Sequence, residues 1–244
     1  MMDEIYRVLK QAGTCWVNLG DTYSKEGMSG GNPSKFPEKL SIKRPKNEIK
    51  NKSLILLPHR FAIGCIDRGW IVRNDCIWAK RNGMPESVSD RFSKKHEYFF
   101  FMVKSQNYYF DLDAIRDKHQ TSCSRTTRKM NEIQKHGSTS TFNGGNDYNE
   151  NGKNPGAVSD FWDIPTKPSS SKHYASYNDS LLLKPVLAGC PEGGIIYDPF
   201  MGTGSTAEVA LRSNRKFIGS EMSKDYCEIA NKRLEPFKMQ TSLF

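Results

Sequence analysis

The stretch Asp198-Pro199-Phe200-Met201-Gly202-Thr203-Gly204-Ser205-Thr206-Ala207 has the residue types and spacing of a ligand-cradling turn. It follows a strand pattern, Ile195-Ile196-Tyr197-Asp198, and opens a helix pattern over Ser205–Leu211. Gly202 and Gly204 permit a tight turn and close approach of a ligand to backbone amides, and Ala207 lets the helix pack closely on the strand. Glu221 stands at the end of the next strand pattern, Phe217-Ile218-Gly219. A carboxylate there can accept hydrogen bonds from both hydroxyls of a ribose, so the loop and the acid together point to a nucleoside-bearing cofactor. Glycines that merely turn a strand into a helix are the plainer alternative, and they leave Glu221 unexplained.

The formal pattern is G-x-G-x-x-A, which keeps a nicotinamide-dependent oxidoreductase in view, whereas the lysine and spacing of a P-loop are absent. Two features speak against a dehydrogenase. Asp198 and Pro199 ahead of the glycines suit a cationic or neutral group better than a pyrophosphate. The cofactor unit also lies close to the C-terminal end of the sequence, where a dehydrogenase of this length would place it first.

The elements that must position these residues read as follows. Residues 4–10 form an amphipathic helix pattern, and Thr14–Leu19 a short buried strand. Leu54–Arg68 has helical periodicity with Pro58 in its first turn and Gly69 as its stop. Trp70–Ala79 is strand material with a polar interruption, followed by an Asn82-Gly83-Met84-Pro85 turn and a short polar helix. His96–Lys104 is a second strongly apolar strand, with Tyr108-Tyr109-Phe110 packing near it. Order resumes at Phe161-Trp162-Asp163-Ile164-Pro165, a helix covers Ser180–Ala188, and a final helix covers Lys224–Leu234. The closing strand–helix–strand–helix order is that of a parallel α/β sheet with right-handed crossovers.

The chain has 244 residues and a formal net charge of +9. The excess is concentrated in two polar segments, 24–52 and 116–136, while the remainder is near neutral. Solvated loops are one reading of these segments; arms that lie along a phosphate backbone are the other. Between Gly137 and Gly156 the sequence is dominated by Gly, Ser, Thr and Asn, a composition unable to offset its ordering entropy by apolar burial. The six cysteines (Cys15, Cys65, Cys76, Cys123, Cys190, Cys227) form no CxxC pair, and five lie in apolar stretches. They read as reduced, mostly buried thiols of a cytoplasmic protein, with no tetrahedral metal site. No stretch approaches the length of a membrane span.

At DPFMGTGST, followed by RKFIGSEMSKDYCEIANKRL, the sequence resembles the permuted N4-cytosine/N6-adenine DNA methyltransferases. The segments EIYRVLKQAGTCWVNLGDTYS, LLPHRFAIGCIDRGWIVRNDCIWAKRNGMPESVSDRF, HEYFFFMVKS and FWDIPTKPSSSKHYASYNDSLLLKPVLAGCPEGG carry the likeness through nearly all the rest, most closely to the cytosine-N4 branch. The resemblance implies an α/β fold with a Rossmann-like S-adenosylmethionine methyltransferase sheet in circularly permuted order. It divides the chain into a catalytic half over 1–115, a target-recognition-like insertion over 116–160 and a cofactor half over 161–244. It implies that Asp198, Phe200, Gly202, Gly204, Ser205, Thr206 and Glu221 hold S-adenosylmethionine, with Phe200 lining the cleft and Glu221 on the ribose. It places Tyr177, in the block His173-Tyr174-Ala175-Ser176-Tyr177, near the cofactor, and assigns Arg125, Arg128, Lys129 and Lys135 to double-stranded DNA.

The family orients its target amine with an Asp- or Ser-Pro-Pro-Tyr-like tetrapeptide on a central strand, because the amine lone pair must face the sulfonium methyl while an aromatic ring stacks on the flipped base. No Pro-Pro occurs in this sequence. The expected sheet is therefore N-terminally incomplete: the strands Ile195–Asp198 and Thr14–Leu19 would each face a missing neighbour, with backbone groups left unpaired. The expectation is of a chain without turnover on its own, through a late start, a split enzyme whose separate polypeptide carries the tetrapeptide, or a decayed remnant that binds only DNA or cofactor.

Overall fold

The structure, a computed structural model, describes residues 1–24, 49–83, 85–116, 158–166 and 178–240. Its elements are α1 (Met2–Val8), β1 (Thr14–Leu19), α2 (Leu57–Ile66), β2 (Ile71–Ala79), β3 (His96–Val103), β4 (Phe161–Asp163), α3 (Asp179–Gly189), β5 (Ile195–Asp198), α4 (Ser205–Arg212), β6 (Lys216–Gly219) and α5 (Lys224–Gln240), with a 3-10 turn at Asp113–Ile115.

β3 organises the larger sheet because its sequence is apolar on both faces. It pairs antiparallel with β1 on one side and with β2 on the other, and β4 joins β2 in parallel, giving the order β1-β3-β2-β4. The two-residue period of a strand sends Phe100 and Met102 to one face, where they meet Ala62 and Cys65 of α2, Trp70, and Met2, Ile5 and Tyr6 of α1. Phe99 goes to the other, against Cys76, Trp78, Trp162 and Leu181 of α3. Trp16 of β1 stacks flat on Phe101 at 4.3 Å between ring centroids. Tyr108 and Phe110 pack on Phe101 as the sequence leads one to expect. The polar interruption in β2 is a bulge between Val72 and Asn74, from which Arg73 donates to the Tyr108 hydroxyl at 2.9 Å.

α2 begins with Leu56 in the left-handed region (φ 60°) and Pro58 in its first turn; its Leu57 N–H is capped from a distance by Asp21 Oδ1 at 3.1 Å. α3 has a local cap, Asn178 accepting from Ser180 N–H at 3.1 Å. One expected element is corrected. Among the described residues of 85–95 there is no helix. Glu86 there accepts from Arg91 and from the Lys94 N–H, and side-chain bonds of this kind compete with a helical ladder.

The smaller sheet holds only β5 and β6, in parallel register from Ile195 opposite Lys216 to Asp198 opposite Gly219. α4 and α5 cover it through Ala207 and Leu234, which pack with Met201 of the intervening loop, and Leu211 and Phe217 lie beside them. Among the described residues β1 pairs only with β3, and β5 only with β6. These are the two unpaired edges that the sequence leads one to expect. Both strands begin beside the C-terminal end of α3: the Thr14 hydroxyl donates to the Gly189 carbonyl at 2.9 Å, and Cys190–Gly194 leads from there directly into β5. Arg215, buried, fixes that connection by donating to the Cys190 carbonyl from Nε at 3.0 Å and Nη2 at 2.9 Å.

Among the described cysteines Cys65 and Cys76 are buried, Cys15 leaves part of its residue surface open but has its thiol enclosed, and Cys190 and Cys227 are partly exposed, so the expected mostly buried set holds for three of the five. Burial pushes the Cys76 thiol up to about 12, and the Cys15 thiol likewise to about 12. Among the described residues no group of three metal-capable side chains exists, and no helix is long and apolar enough to cross a membrane.

Candidate cofactor site

The glycine loop is built from the carboxyl end of β5 and closed by the carboxyl end of β6. Asp198 turns its carboxylate back on the loop: Oδ1 accepts from the Phe200 N–H at 2.9 Å and Oδ2 accepts from the Thr206 hydroxyl at 2.6 Å. The loop's first backbone bonds, Ser220 N–H to the Asp198 carbonyl at 3.0 Å and Met201 N–H to the Ser220 carbonyl at 2.9 Å, tie it to the chain leaving β6. Gly202 (φ 54°) and Gly204 (φ 83°) are both left-handed, a region that side chains with a Cβ enter only with strain. Gly204 is the N-cap position of α4, and a Cβ there would lie 3.0 Å from the Ala230 Cβ on α5. At Gly202 the nearest atom to such a Cβ is a backbone oxygen at 3.9 Å, so open space lies in front of it.

Glu221 closes the site. Its Oε2 accepts from the Gly202 N–H at 2.9 Å and its Oε1 from the Ser223 N–H at 2.7 Å. A carboxylate offers about four acceptor positions, so each oxygen retains capacity for a ligand hydroxyl. The loop's mouth is flanked by apolar side chains that the protein leaves in solvent: Phe200 is 70% exposed and Met222 fully so. The same space thus offers a hydroxyl acceptor, a glycine without a side chain and two apolar walls.

Behind the loop, Arg233 of α5 donates from Nη1 to the Thr203 carbonyl at 3.0 Å and to Ser205 Oγ at 2.8 Å, while its Nε pairs with Glu208 at 2.9 Å. Arg233 braces the loop from behind, a role that motif spacing does not reveal. The helical period does contain a signal, since Ala230 and Arg233 stand three residues apart and share the α5 face that meets the loop.

All seven sequence-predicted residues of this site therefore come together around one turn. Ser205 is buried and bonded to Arg233, and the Thr206 hydroxyl is held by Asp198, so both face the loop's own frame. Arg125, Arg128, Lys129 and Lys135, and Tyr177 with the rest of its block, lie outside the described residues.

An α/β sheet that offers a glycine turn and an acid at the carboxyl ends of adjacent parallel strands defines a nucleoside-binding protein of the Rossmann-like class. A family model described as DNA methylase, the N6/N4 methyltransferases, matches residues 1–232, and the chain belongs to this family. It is 31% identical over 238 residues to the type II methyltransferase M.Cfr9I of Citrobacter freundii, covering 96% of this chain and 69% of that one. It is 32% identical over 234 residues to M.SmaI of Serratia marcescens, covering 95% and 70%. Among solved structures, the cytosine-N4-specific PvuII DNA methyltransferase superposes with a TM-score of 0.60 at 16% identity. That alignment covers 92% of this chain and spans 64% of the PvuII chain. The fold is accordingly the Rossmann-like methyltransferase fold in circularly permuted order, and the nicotinamide reading falls away.

Proposed function

We propose that this chain is the body of a DNA methyltransferase that moves a methyl group from S-adenosylmethionine to the exocyclic amine of a flipped base, cytosine N4 in preference to adenine N6. The observation that carries the cofactor reading is the junction of Glu221 with the Gly202 amide at 2.9 Å, beside open space in front of a left-handed glycine. When bound, the cofactor supplies an electrophilic methyl on a sulfonium sulfur. The chain's own residues do the rest of the holding: Glu221 accepts from the ribose hydroxyls, Phe200 and Met222 cover the adenine, Gly202 admits the methionine part against the loop, and Gly204 lets α5 close on the loop from behind. Asp198, Ser205 and Thr206 act by keeping the loop in shape. The cytosine-N4 preference rests on the relatives' branch, as the PvuII enzyme's description is cytosine-N4-specific.

In this reading 1–115 is part of the catalytic half, 116–160 with Arg125, Arg128, Lys129 and Lys135 approaches double-stranded DNA, and 161–244 is the cofactor half. The strand that carries the amine-orienting tetrapeptide enters between the free edges of β1 and β5, from a segment or a separate polypeptide beyond these 244 residues. The chain alone does not turn over.

Titration calorimetry with S-adenosylmethionine tests the cofactor reading: the chain binds it, and Glu221→Ala weakens binding by at least about tenfold, as expected for losing hydrogen bonds to a charged acceptor. Binding of NADH in place of S-adenosylmethionine overturns it. Methyl incorporation into unmodified DNA by the purified chain overturns the inactivity.

A further inference from the structure

The loop between β2 and β3 presents Phe92 almost completely to solvent, at 96% exposure. A lone apolar side chain on a protein surface is ordinary and carries no meaning by itself. Here the backbone that holds it is braced on both sides. Arg91 pairs with Glu86 at 2.5 Å, donates to the carbonyl of Phe92 itself at 3.0 Å, and lies over the Tyr23 ring at 4.0 Å. The Lys94 N–H donates to Glu86 at 3.3 Å, and its ammonium donates to the Asp21 carbonyl. The Lys95 ammonium reaches the Gly83 carbonyl at 2.5 Å and Asp90 is tied to Lys52 at 2.7 Å. A loop fixed this way projects Phe92, its one aromatic side chain, outward in a set direction.

Its position is equally specific. β1 and β2 both run antiparallel to β3, and β4 runs parallel to β2, so residues 20–24, 80–95 and 164–166 gather at the carboxyl ends of their strands. Asn82 confirms the gathering by exchanging hydrogen bonds with Thr166, from Nδ2 to the carbonyl at 2.8 Å and from the Thr166 N–H to Oδ1 at 2.7 Å. Carboxyl ends of strands are where α/β sheets hold their ligands, and the glycine loop lies at the carboxyl end of β5. The loop's Arg91, Lys94 and Lys95 are neighbours of Phe92 in sequence, and each is turned inward to brace the loop.

We propose that Phe92 is a wedge that enters the base stack of duplex DNA, filling the space left when the target nucleotide leaves the helix. An aromatic face replaces the lost base-stacking partner. This inference rests on the DNA-methylating reading above.

The test uses the full chain with S-adenosylhomocysteine and two fluorescent duplexes of identical sequence, one intact and one with a single abasic site that mimics the vacancy. The parent protein binds the abasic duplex about tenfold more tightly than the intact one. Phe92→Ala abolishes that preference, and its far-ultraviolet circular dichroism stays unchanged. Phe92→Trp keeps the preference, and its added exposed-indole emission is quenched on binding. A Phe92→Ala protein that retains the preference overturns the wedge alone, as does a change in its sedimentation without a change in DNA affinity. A parent protein that binds neither duplex overturns the DNA reading and the wedge with it.

Discussion

The two sheets of this protein stabilise themselves in opposite ways. In the four-stranded sheet, β3 is covered on both faces and Phe99 to Val103 are all buried. In the two-stranded sheet, Ile195 is 55% and Tyr197 46% exposed, although the predicted cofactor residues stand at the carboxyl ends of its two strands. The larger sheet is an apolar core with strands around it. The smaller is a polar frame of short hydrogen bonds (Asp198, Glu221, Arg233) with a small core behind it. The difference teaches that the shape of the glycine loop is set by backbone amides held by carboxylates and one guanidinium, while apolar burial secures the other half.

The largest expected effect comes from breaking the buried side of this comparison. Phe100→Ala removes a side chain that is 1% exposed and should cost about 3–5 kcal/mol in urea denaturation, with the cofactor loop affected only through global unfolding. Gly204→Ala strikes the frame instead: the left-handed φ costs about 1–2 kcal/mol and the approach to Ala230 adds to it. The double variant Gly204→Ala with Ala230→Gly should recover the overlap and leave the φ strain, which separates the two costs in the same denaturation experiment.

Arg233→Met should lower S-adenosylmethionine affinity several-fold in calorimetry while shifting the melting temperature by only a few degrees, because it frees Thr203 and Ser205 without opening a cavity in either core. Equal loss of stability and affinity would show that frame and core are one cooperative unit. In hydrogen exchange, amides at the centre of β3 should outlast those of β5 by orders of magnitude, since β3 is paired on both sides and β5 on one.

A last effect concerns pH and emerges only above the ordinary thiol range. The Cys15 and Cys76 thiols are raised to about 12 by burial, so the folded chain keeps both protonated where the unfolded chain begins to ionise. Their contribution to stability is fully present below about pH 9 and is lost as pH rises toward 12, at up to about 1.4 kcal/mol per pH unit per thiol. Denaturation midpoints that stay flat from pH 8 to 10.5 would contradict the assignment.

Much of this was legible in the sequence where local pattern and final environment agree. Thr14–Leu19 and Ile195–Asp198 have the bounds that their apolar runs indicate, and the glycine turn forms where Gly202 and Gly204 require it. The cofactor residues gather around one turn because they come from adjacent ends of two neighbouring strands. What pattern could not supply came from long-range partners. The segment after Asn82 looks helical by polarity, yet Glu86, Arg91 and Lys94 bond one another instead. Arg233 belongs to a helix whose period marks a face but not the Ser205 hydroxyl it meets. Asp21 caps a helix that begins at Leu57, a relation no local window contains.

The bond between the Thr14 hydroxyl and the Gly189 carbonyl joins the two sheets at the ends where β1 and β5 begin, beside α3. The same helix packs Leu181 into the core of the larger sheet and lies against α4, so α3 is the beam to which both strands are anchored at their starts while their edges stay unlinked. A strand clamped between the two edges would act as a spacer carried by that beam.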